Sequence, residues 1–149
     1  MTASGPTLNA LNLVVRDMDA ALAFYRLLGL EIPDAAVWST TTGVHHVTVR
    51  MPGGFELELD SPALARVYNA GWQPPAGARG GIVIGFSVAT RDAVDECFAR
   101  MTAAGHGATQ PPFDAFWGAR YAIIVDPDGN HVGVMSPVDP ERMGAPPAL

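Results

Sequence analysis

The chain has 149 residues, of which 48% are hydrophobic and 16% charged, with a formal net charge of −6. This length and composition predict one globular domain with an ordinary core, and they exclude disordered, collagen-like and coiled-coil proteins. All nine basic residues are arginine and Cys97 is the single cysteine, which excludes lysine Schiff-base chemistry, a lysine P-loop, intrachain disulfides and cysteine-cluster zinc sites.

The first half of the chain predicts a strand, a helix and three further strands. Apolar residues alternate over 8–15, and Asp17 and Gly29 are suited to begin and end an amphipathic helix over 18–28. Three short strands follow, over 37–39, 44–50 and 55–60. The last two are joined by a turn at 52–54, so this half has the element order βαβββ.

The same order returns after a linker over 61–81 that is rich in glycine, proline and alanine. Thr90 and Gly105 are suited to begin and end a second helix. The strands of this half are predicted over 82–88, 107–110, 119–125 and 131–135. Corresponding elements are offset by about 73 to 75 residues, which indicates an internal duplication. We therefore divide a single domain, 1–149, into module one at about 8–60, the linker, module two at about 82–136, and a loosely ordered tail over 137–149.

Three motifs in a fixed order carry a family resemblance: LVVRDM at 13–18, FYRLLGL at 24–30 and DPDGN at 126–130. As an ordered set they resemble the glyoxalase/bleomycin resistance/extradiol dioxygenase superfamily, also called vicinal oxygen chelate. The resemblance covers about 8–135. It implies an α+β fold in which two βαβββ modules form a curved mixed sheet around a ligand cavity, with the helices outside.

The resemblance also implies where a metal would be held. Metal-dependent members of the superfamily carry four ligands, one on the first and one on the last strand of each module. The corresponding positions here are Ala10, Glu58, Val83 and Gly133. Of these side chains only that of Glu58 can bind a metal, so we expect no metal cofactor. An alternative site for a divalent metal ion, with two histidines and one carboxylate, would consist of His46, Glu58 and His131.

Glu56, Glu58 and Asp60 repeat at period two and therefore lie on one face of their strand. The family position favours the cavity for Glu58, where it would act as a general base or as a hydrogen-bond acceptor for a cationic ligand. It leaves Glu56 and Asp60 nearer the rim. The alternative is a solvated strand face.

Aromatic residues are frequent at strand ends and in loops, where flat rings are suited to stacking on a planar ligand. They are Trp38, Tyr68, Trp72, Phe113, Phe116 and Trp117. Core packing or a dimer interface is the alternative for each ring. The segments 68–75 and 116–122 resemble mitomycin-resistance proteins, which bind flat antibiotics without a metal and are commonly homodimers.

We therefore predict a metal-independent protein of the bleomycin- and mitomycin-resistance type, which binds and sequesters a planar or cationic small organic molecule. The predicted ligand-binding residues are Asn12, Trp38, Glu58, Trp72, Phe116, Trp117 and Arg120. The alternative is a divergent metal-dependent glyoxalase-like lyase, isomerase or dioxygenase, with Glu58 as its catalytic residue. The sequence leaves open whether the chain is an enzyme.

Charge and hydropathy predict the remaining partners. The arginines are dispersed in an acidic chain, so nucleic acid is not an expected partner. No apolar stretch approaches the length of about 18 residues that a membrane span needs. Residues 1–6 lack the pattern of a secretion signal, so we expect a cytoplasmic protein. The family resemblance implies a homodimer with a small-molecule ligand.

Overall fold

The computed structural model describes residues 8–76 and 81–148, and the chain divides into two units, Met1–Ala76 (unit 1) and Gly77–Leu149 (unit 2). Each unit contains one four-stranded mixed sheet together with helices. This arrangement confirms the predicted α+β class and the duplicated βαβββ module. The division falls inside the predicted linker.

Over residues 8–76, unit 1 contains four strands and two α-helices. They are β1 (Ala10–Val14), α1 (Met18–Leu28), β2 (Val37–Thr40), β3 (Gly43–Arg50), β4 (Glu56–Asp60) and α2 (Pro62–Tyr68). The strand order in the sheet is β1-β4-β3-β2, with β1 parallel to β4 and the other pairs antiparallel. The predicted turn between β3 and β4 is present, and Gly53 and Gly54 both have positive φ there.

Helix α1 has the predicted bounds because its two ends are set by local signals. The Asp17 side chain accepts a hydrogen bond from the amide of Ala20, and Gly29 ends the helix with a φ of 118°. The helix buries Phe24 and Tyr25 fully. Burial of a large apolar side chain contributes about 1.5–3 kcal/mol, so this face of α1 holds the helix on the sheet.

Unit 2 repeats the arrangement with different side chains. Its elements are β5 (Val83–Ser87), α3 (Arg91–Ala103), β6 (Ala108–Asp114), β7 (Arg120–Val125) and β8 (His131–Met135). The strand order is β5-β8-β7-β6, with β5 parallel to β8. Helix α3 packs on β7 and β6 through Val94, Cys97 and Met101. Cys97 is therefore a buried core residue, as expected of a small hydrophobic side chain.

Two elements differ from the sequence prediction. Helix α2 lies in the segment that we predicted to be a loop, because Ser61 accepts a hydrogen bond from the amide of Leu64 and Pro62 occupies the first turn. Strand β6 is longer than predicted and includes Pro111 and Pro112. Proline is tolerated there because β6 lies at an edge of the sheet and its register is irregular.

The tail also differs from the expectation of a loose segment. The amide of Asp139 donates to the carbonyl of Gly118 at 3.0 Å, and the amide of Gly144 donates to that of Phe116 at 2.8 Å. Trp117 and Met143 form an isolated antiparallel bridge between these two hydrogen bonds. The residues over 139–144 are thus paired with the loop that carries Trp117. Within 8–76 and 81–148, no helix has the length and apolar character that crossing a membrane requires.

Candidate functional site

Equivalent positions of the two sheets carry side chains of opposite chemistry. The register pairs Asn12 with Glu58 and His46 with Asp60 in unit 1, and Gly85 with Gly133 and Tyr121 with Met135 in unit 2. Paired residues project from the same face of a sheet. One face of the unit 1 sheet is therefore polar. The corresponding face in unit 2 is apolar, and its two glycines leave part of it without side chains.

Asp60 is the centre of the polar face of unit 1. Its carboxylate is 1% exposed and accepts three hydrogen bonds. The donors are Nδ1 of His46 at 2.6 Å, Nδ2 of Asn12 at 2.9 Å and the hydroxyl of Tyr68 at 2.7 Å. Since a buried carboxylate is costly without such partners, these three bonds are what allows Asp60 to lie inside the protein. The expectation that Asp60 lies near a rim is wrong.

The amide of Asn12 joins the two carboxylates of this face. Its second N–H donates to Oε2 of Glu58 at 2.5 Å, while the first donates to Asp60. Both amide hydrogens are therefore used. Glu58 is half-buried, and Asn12 fixes the orientation of its carboxylate. The predicted pair Asn12 and Glu58 is thus brought together, on one face of the unit 1 sheet.

His46 is held at both of its ring nitrogens. Nδ1 contacts Asp60, and Nε2 lies 2.9 Å from Oγ1 of Thr48. Nδ1 donates to the Asp60 carboxylate, and the contact with the Thr48 hydroxyl fixes the ring at its other nitrogen. Thr48 in turn lines a pocket of about 550 Å³ in unit 1, together with Glu31 and Arg50.

Tyr68 remains a hydrogen-bond donor over a wide pH range. Burial, the hydrogen bond to Asp60 and the negative charges of Asp60 and Glu58 together raise the pKa of Tyr68 to about 12. All these effects oppose the loss of the phenolic proton. At neutral pH the hydroxyl is therefore protonated and donates to Asp60.

Two predicted tryptophans lie in unit 1 and already have partners. Trp38 in β2 is half-exposed, and its ring lies 5.5 Å from that of His45. Trp72 follows α2, and the guanidinium of Arg66 lies 4.9 Å from the centre of its ring. This cation–π contact covers one face of the Trp72 indole, so stacking on that face would displace Arg66.

Unit 2 contains an uncharged pocket of about 410 Å³ over the apolar face of its sheet. It is lined by Val83, Gly85, Phe86, Ser87, Trp117, Tyr121 and Met135. Three of these residues are aromatic, and none is acidic or basic. Of the predicted ligand-binding residues, Trp117 is the one that lines this pocket; Phe116 lies beside it and is 42% exposed.

The Trp117 ring is held by three aromatic neighbours in edge-to-face contacts. The distances between ring centres are 6.1 Å to Phe113, 5.2 Å to Phe116 and 5.6 Å to Tyr121. Such pairs contribute about 0.5–1.5 kcal/mol each beyond their buried area. The indole is therefore positioned before any ligand arrives.

Gly133 makes room for Tyr121. A Cβ atom at residue 133 would lie 2.5 Å from the Tyr121 hydroxyl oxygen and 3.0 Å from two ring carbons. The phenol ring thus lies directly against β8, where a side chain would otherwise project. Burial raises the pKa of Tyr121. Position 133 therefore contributes space for its neighbour instead of a functional group.

Arg120 is engaged in a different part of unit 2. Its guanidinium donates two hydrogen bonds to Asp95 of α3, at 2.7 and 3.0 Å, and a third to Asp114 at 3.2 Å. The bidentate contact lowers the pKa of the Asp95 carboxyl. Arg120 is adjacent to Tyr121 and projects from the opposite face of β7. These contacts join α3 to the sheet and argue against the predicted role of Arg120 in orienting a ligand.

The four-ligand metal set of the superfamily does not fit the residues present. Ala10 and Val83 offer no donor atom, and the space at Gly133 is filled by Tyr121. The remaining position, Glu58, is hydrogen-bonded to Asn12. Over the described parts of the chain, no group of three or more His, Cys, Asp or Glu residues is arranged to hold a metal ion.

The alternative set divides between the two units. His46 and Glu58 lie on the polar face of unit 1, whereas His131 is the first residue of β8 in unit 2. A metal site made of these three residues stays a prediction.

Two βαβββ units with the same strand order define the class of fold. The family model described as Glyoxalase/Bleomycin resistance protein/Dioxygenase superfamily matches residues 7–134. The chain belongs to this superfamily. None of the curated proteins matches it.

Solved structures with the same fold come from several bacteria. A glyoxalase/bleomycin resistance protein/dioxygenase family enzyme from Burkholderia phytofirmans PsJN has a TM-score of 0.71 and 20% identity, over 88% of this chain and 98% of its own. Lactoylglutathione lyase from Agrobacterium tumefaciens has a TM-score of 0.61 and 28% identity, over 89% and 94%. TioX from Micromonospora sp. ML1 has a TM-score of 0.58 and 23% identity, over 88% and 98%.

Sequence reasoning did not identify the roles of Asp60 and Tyr121. The period-two pattern places Asp60 beside Glu58 but says nothing of the three donors that come from other elements. For Tyr121 a signal was present. The glycine at 133 lies opposite Ile123 in the β7–β8 ladder, and a glycine inside a strand often marks the close approach of another group.

Proposed function

We propose that this protein binds and sequesters a planar small organic molecule in the unit 2 pocket without a metal. The observation that carries the proposal is the pocket of about 410 Å³ whose described lining includes three aromatic residues and no acidic or basic one. Its volume lies within the range of about 300–1,000 Å³ that is usual for small-molecule sites. Flat ligands gain most from such walls, because stacking buries their whole surface.

Preorganisation supports binding as the role of this pocket. The ring of Trp117 is already fixed by Phe113, Phe116 and Tyr121, so little side-chain freedom is lost when a ligand stacks on it. The polar side-chain groups of the lining are the hydroxyls of Ser87 and Tyr121. Among the described residues, neither hydroxyl is bonded to a histidine or a carboxylate, so the described lining offers no activated nucleophile or general base. Its chemistry favours capture over turnover.

Tryptophan fluorescence tests the proposal, since the chain has three tryptophans. The double variant Trp38→Phe/Trp72→Phe leaves Trp117 as the sole indole, and it is titrated with a panel of planar antibiotics and dyes. We expect saturable quenching with about one ligand per chain. The variant Trp117→Ala in the same background has no tryptophan, so its affinity is measured by equilibrium dialysis, and we expect a loss of at least about tenfold. Unchanged affinity in Trp117→Ala would place the ligand elsewhere and contradict the proposal. Mass spectrometry of the same mixtures should show no product.

The second candidate is a lyase, isomerase or dioxygenase that acts through the polar face of unit 1. The observation that favours it is the orientation of Glu58 by Asn12, which is itself tied to the buried Asp60. A carboxylate held in this way is suited to abstract a proton. The similarity to a lactoylglutathione lyase points to thioesters of glutathione as a first substrate class. Turnover of lactoylglutathione that Glu58→Gln abolishes would support this candidate.

A further inference from the structure

The contact between Tyr121 and Gly133 has a consequence for what the unit 2 pocket recognises. The Tyr121 hydroxyl oxygen lies so close to the Cα of Gly133 that a methyl group there would overlap it. The ring is confined on its other sides by Trp117 and Phe113, at 5.6 and 6.3 Å between ring centres. Its hydroxyl is therefore held over β8 at the pocket.

The same hydroxyl has an unused hydrogen-bonding capacity. Across 8–76 and 81–148, Tyr121 contacts other rings but its oxygen has no hydrogen-bond partner. No fully buried polar atom of the described side chains lacks a partner, so this oxygen is not fully buried. Because Tyr121 lines the pocket, a ligand there can reach the hydroxyl. Burial raises the pKa of Tyr121, which keeps the phenol protonated and able to donate.

The lining sets a limit on the charge of the ligand. A charged group that enters the pocket loses part of its hydration, and none of the described residues that line the pocket is acidic or basic. An uncharged ring system carries no such cost. A single acceptor atom on that ring would satisfy the Tyr121 hydroxyl, which would otherwise lose its own water on binding.

We propose that Tyr121 is the specificity-determining residue of this pocket, and that its hydroxyl donates a hydrogen bond to an acceptor atom of a flat, uncharged aromatic heterocycle. Gly133 is the residue that keeps the hydroxyl in position. This inference rests on the proposed function, because it names the ligand class of the same pocket. It also accounts for the glycine at a position where metal-dependent relatives carry a ligand.

Three flat bicyclic probes of nearly equal shape test the inference: naphthalene, quinoline and N-methylquinolinium. Naphthalene has no acceptor, quinoline has one ring nitrogen and is uncharged at slightly alkaline pH, and N-methylquinolinium is a permanent cation. Affinities are measured by quenching of Trp117 in the Trp38→Phe/Trp72→Phe background. We expect quinoline to bind about tenfold more tightly than naphthalene, which is the effect of one net hydrogen bond, and N-methylquinolinium to bind most weakly.

Variants of Tyr121 and Gly133 separate the effect of the Tyr121 hydroxyl from the effect of the position of its ring. Tyr121→Phe keeps the ring and should abolish the preference for quinoline, whereas Ser87→Ala, which removes the other hydroxyl of the lining, should keep it. Gly133→Ala should also reduce the preference, because the new methyl group displaces the Tyr121 ring. Gly107→Ala is the matched control: Gly107 is not among the lining residues, and a Cβ there would lie 3.7 Å from the Cβ of Val125, an ordinary contact that leaves Tyr121 in place.

The outcomes distinguish this inference from the proposed function. Equal affinity for quinoline and naphthalene, or a preference that survives in Tyr121→Phe, would overturn the inference while pocket binding stands. Tightest binding of N-methylquinolinium would overturn it in favour of an aromatic cage for cations. If none of the three probes quenches Trp117, both the inference and the proposed function fail. Should Gly133→Ala not fold, Tyr121→Phe still decides the matter.

Discussion

Tyr68, at the end of helix α2, donates a hydrogen bond of 2.7 Å to Oδ2 of Asp60, the last residue of β4. The two residues are only eight positions apart, and the bond closes the segment between them into a compact connection. Asp60 in turn holds His46 and Asn12. A short helix capped by Ser61 thus helps to organise the polar face of unit 1.

We expect Tyr68→Phe to lower the free energy of unfolding by about 1 kcal/mol, because it removes one of three donors to a buried carboxylate while the ring stays half-exposed. Urea unfolding at neutral pH measures the change. Thr41→Val, at an exposed position in the turn before β3, is the control. A change no larger than that of Thr41→Val would contradict the prediction.

The contribution of Tyr68 to the free energy of unfolding should decrease at alkaline pH. Its pKa is raised from 10.0 to about 12 in the folded protein, so the unfolded chain loses the phenolic proton first. Above pH 10 the unfolded state binds fewer protons than the native state, and stability falls as pH rises. The difference in stability between the parent protein and Tyr68→Phe is thus constant below pH 10 and shrinks towards pH 12. A difference that grows over this range would be inconsistent with the structure.

Asp60→Asn should be more damaging than any other carboxylate substitution on β4. Asparagine replaces one carboxylate oxygen by an N–H₂ group, which cannot accept a hydrogen bond. At least one of the three donors to residue 60 would therefore lose its acceptor, at a site that is 1% exposed. We expect a loss of about 3 kcal/mol. Glu56→Gln is the matched control, since Glu56 has one exposed partner, Arg50, and its removal should cost less than about 0.5 kcal/mol. Equal losses of stability in the two variants would contradict the importance of the three hydrogen bonds to Asp60.

Arg120→Gln should lower stability without changing ligand affinity, because its guanidinium joins Asp95 of α3 to β7. The expected loss is about 1 kcal/mol, as both groups are partly exposed. The effect should disappear in acid. The pKa of Asp95 is lowered from 3.8 in the folded protein, so the stabilisation is present above that pH and is lost as pH falls through the lowered value.

Thermal unfolding of Arg120→Gln over a range of acidic pH checks this prediction, with Arg50→Gln as the control arginine on an exposed strand end. A loss of ligand affinity in Arg120→Gln at unchanged stability would instead restore the predicted ligand-orienting role.

Metal loading tests the proposed independence from metals. Protein soaked with Ni²⁺, Zn²⁺, Mn²⁺ or Fe²⁺ and then desalted should retain less than stoichiometric metal, because Ala10, Val83 and Gly133 provide no donor side chains. Elemental analysis gives the readout. Stoichiometric retention that Glu58→Gln abolishes, with ligand binding that requires the metal, would contradict the proposal and favour the enzyme candidate.

The sequence was most informative where local chemistry determines structure. The bounds of α1 were predictable because Asp17 and Gly29 act within one turn of its ends. Strand β8 was predicted with its observed bounds, 131–135, since it follows a DPDG turn. Helix α2 was missed because seven residues offer little periodicity, although Ser61 followed by proline is a recognisable start.

The site was less predictable because its contacts join distant segments. Period two correctly groups Glu58 with Asp60, but the burial of Asp60 depends on donors from β1, β3 and α2. Alternation along β7 could have separated Arg120 from Tyr121, since consecutive residues of a strand face opposite ways. The prediction for Arg120 followed family resemblance instead of this simpler rule.

The pairing of residues 139–144 with the loop at 115–118 has a practical consequence for anyone who trims this protein. Gly118 has a positive φ, and a Cβ there would overlap the backbone carbonyl oxygen of Asp139, so the two segments are closely fitted. A chain that stops at Val138 would keep every residue that lines the unit 2 pocket. It would nevertheless lose the hydrogen bonds that hold the backbone around Trp117. Shortened forms made for crystallisation or fusion should therefore end beyond Gly144. A lower ligand affinity in a shorter form would reflect a displaced Trp117 loop, although every lining residue is still present.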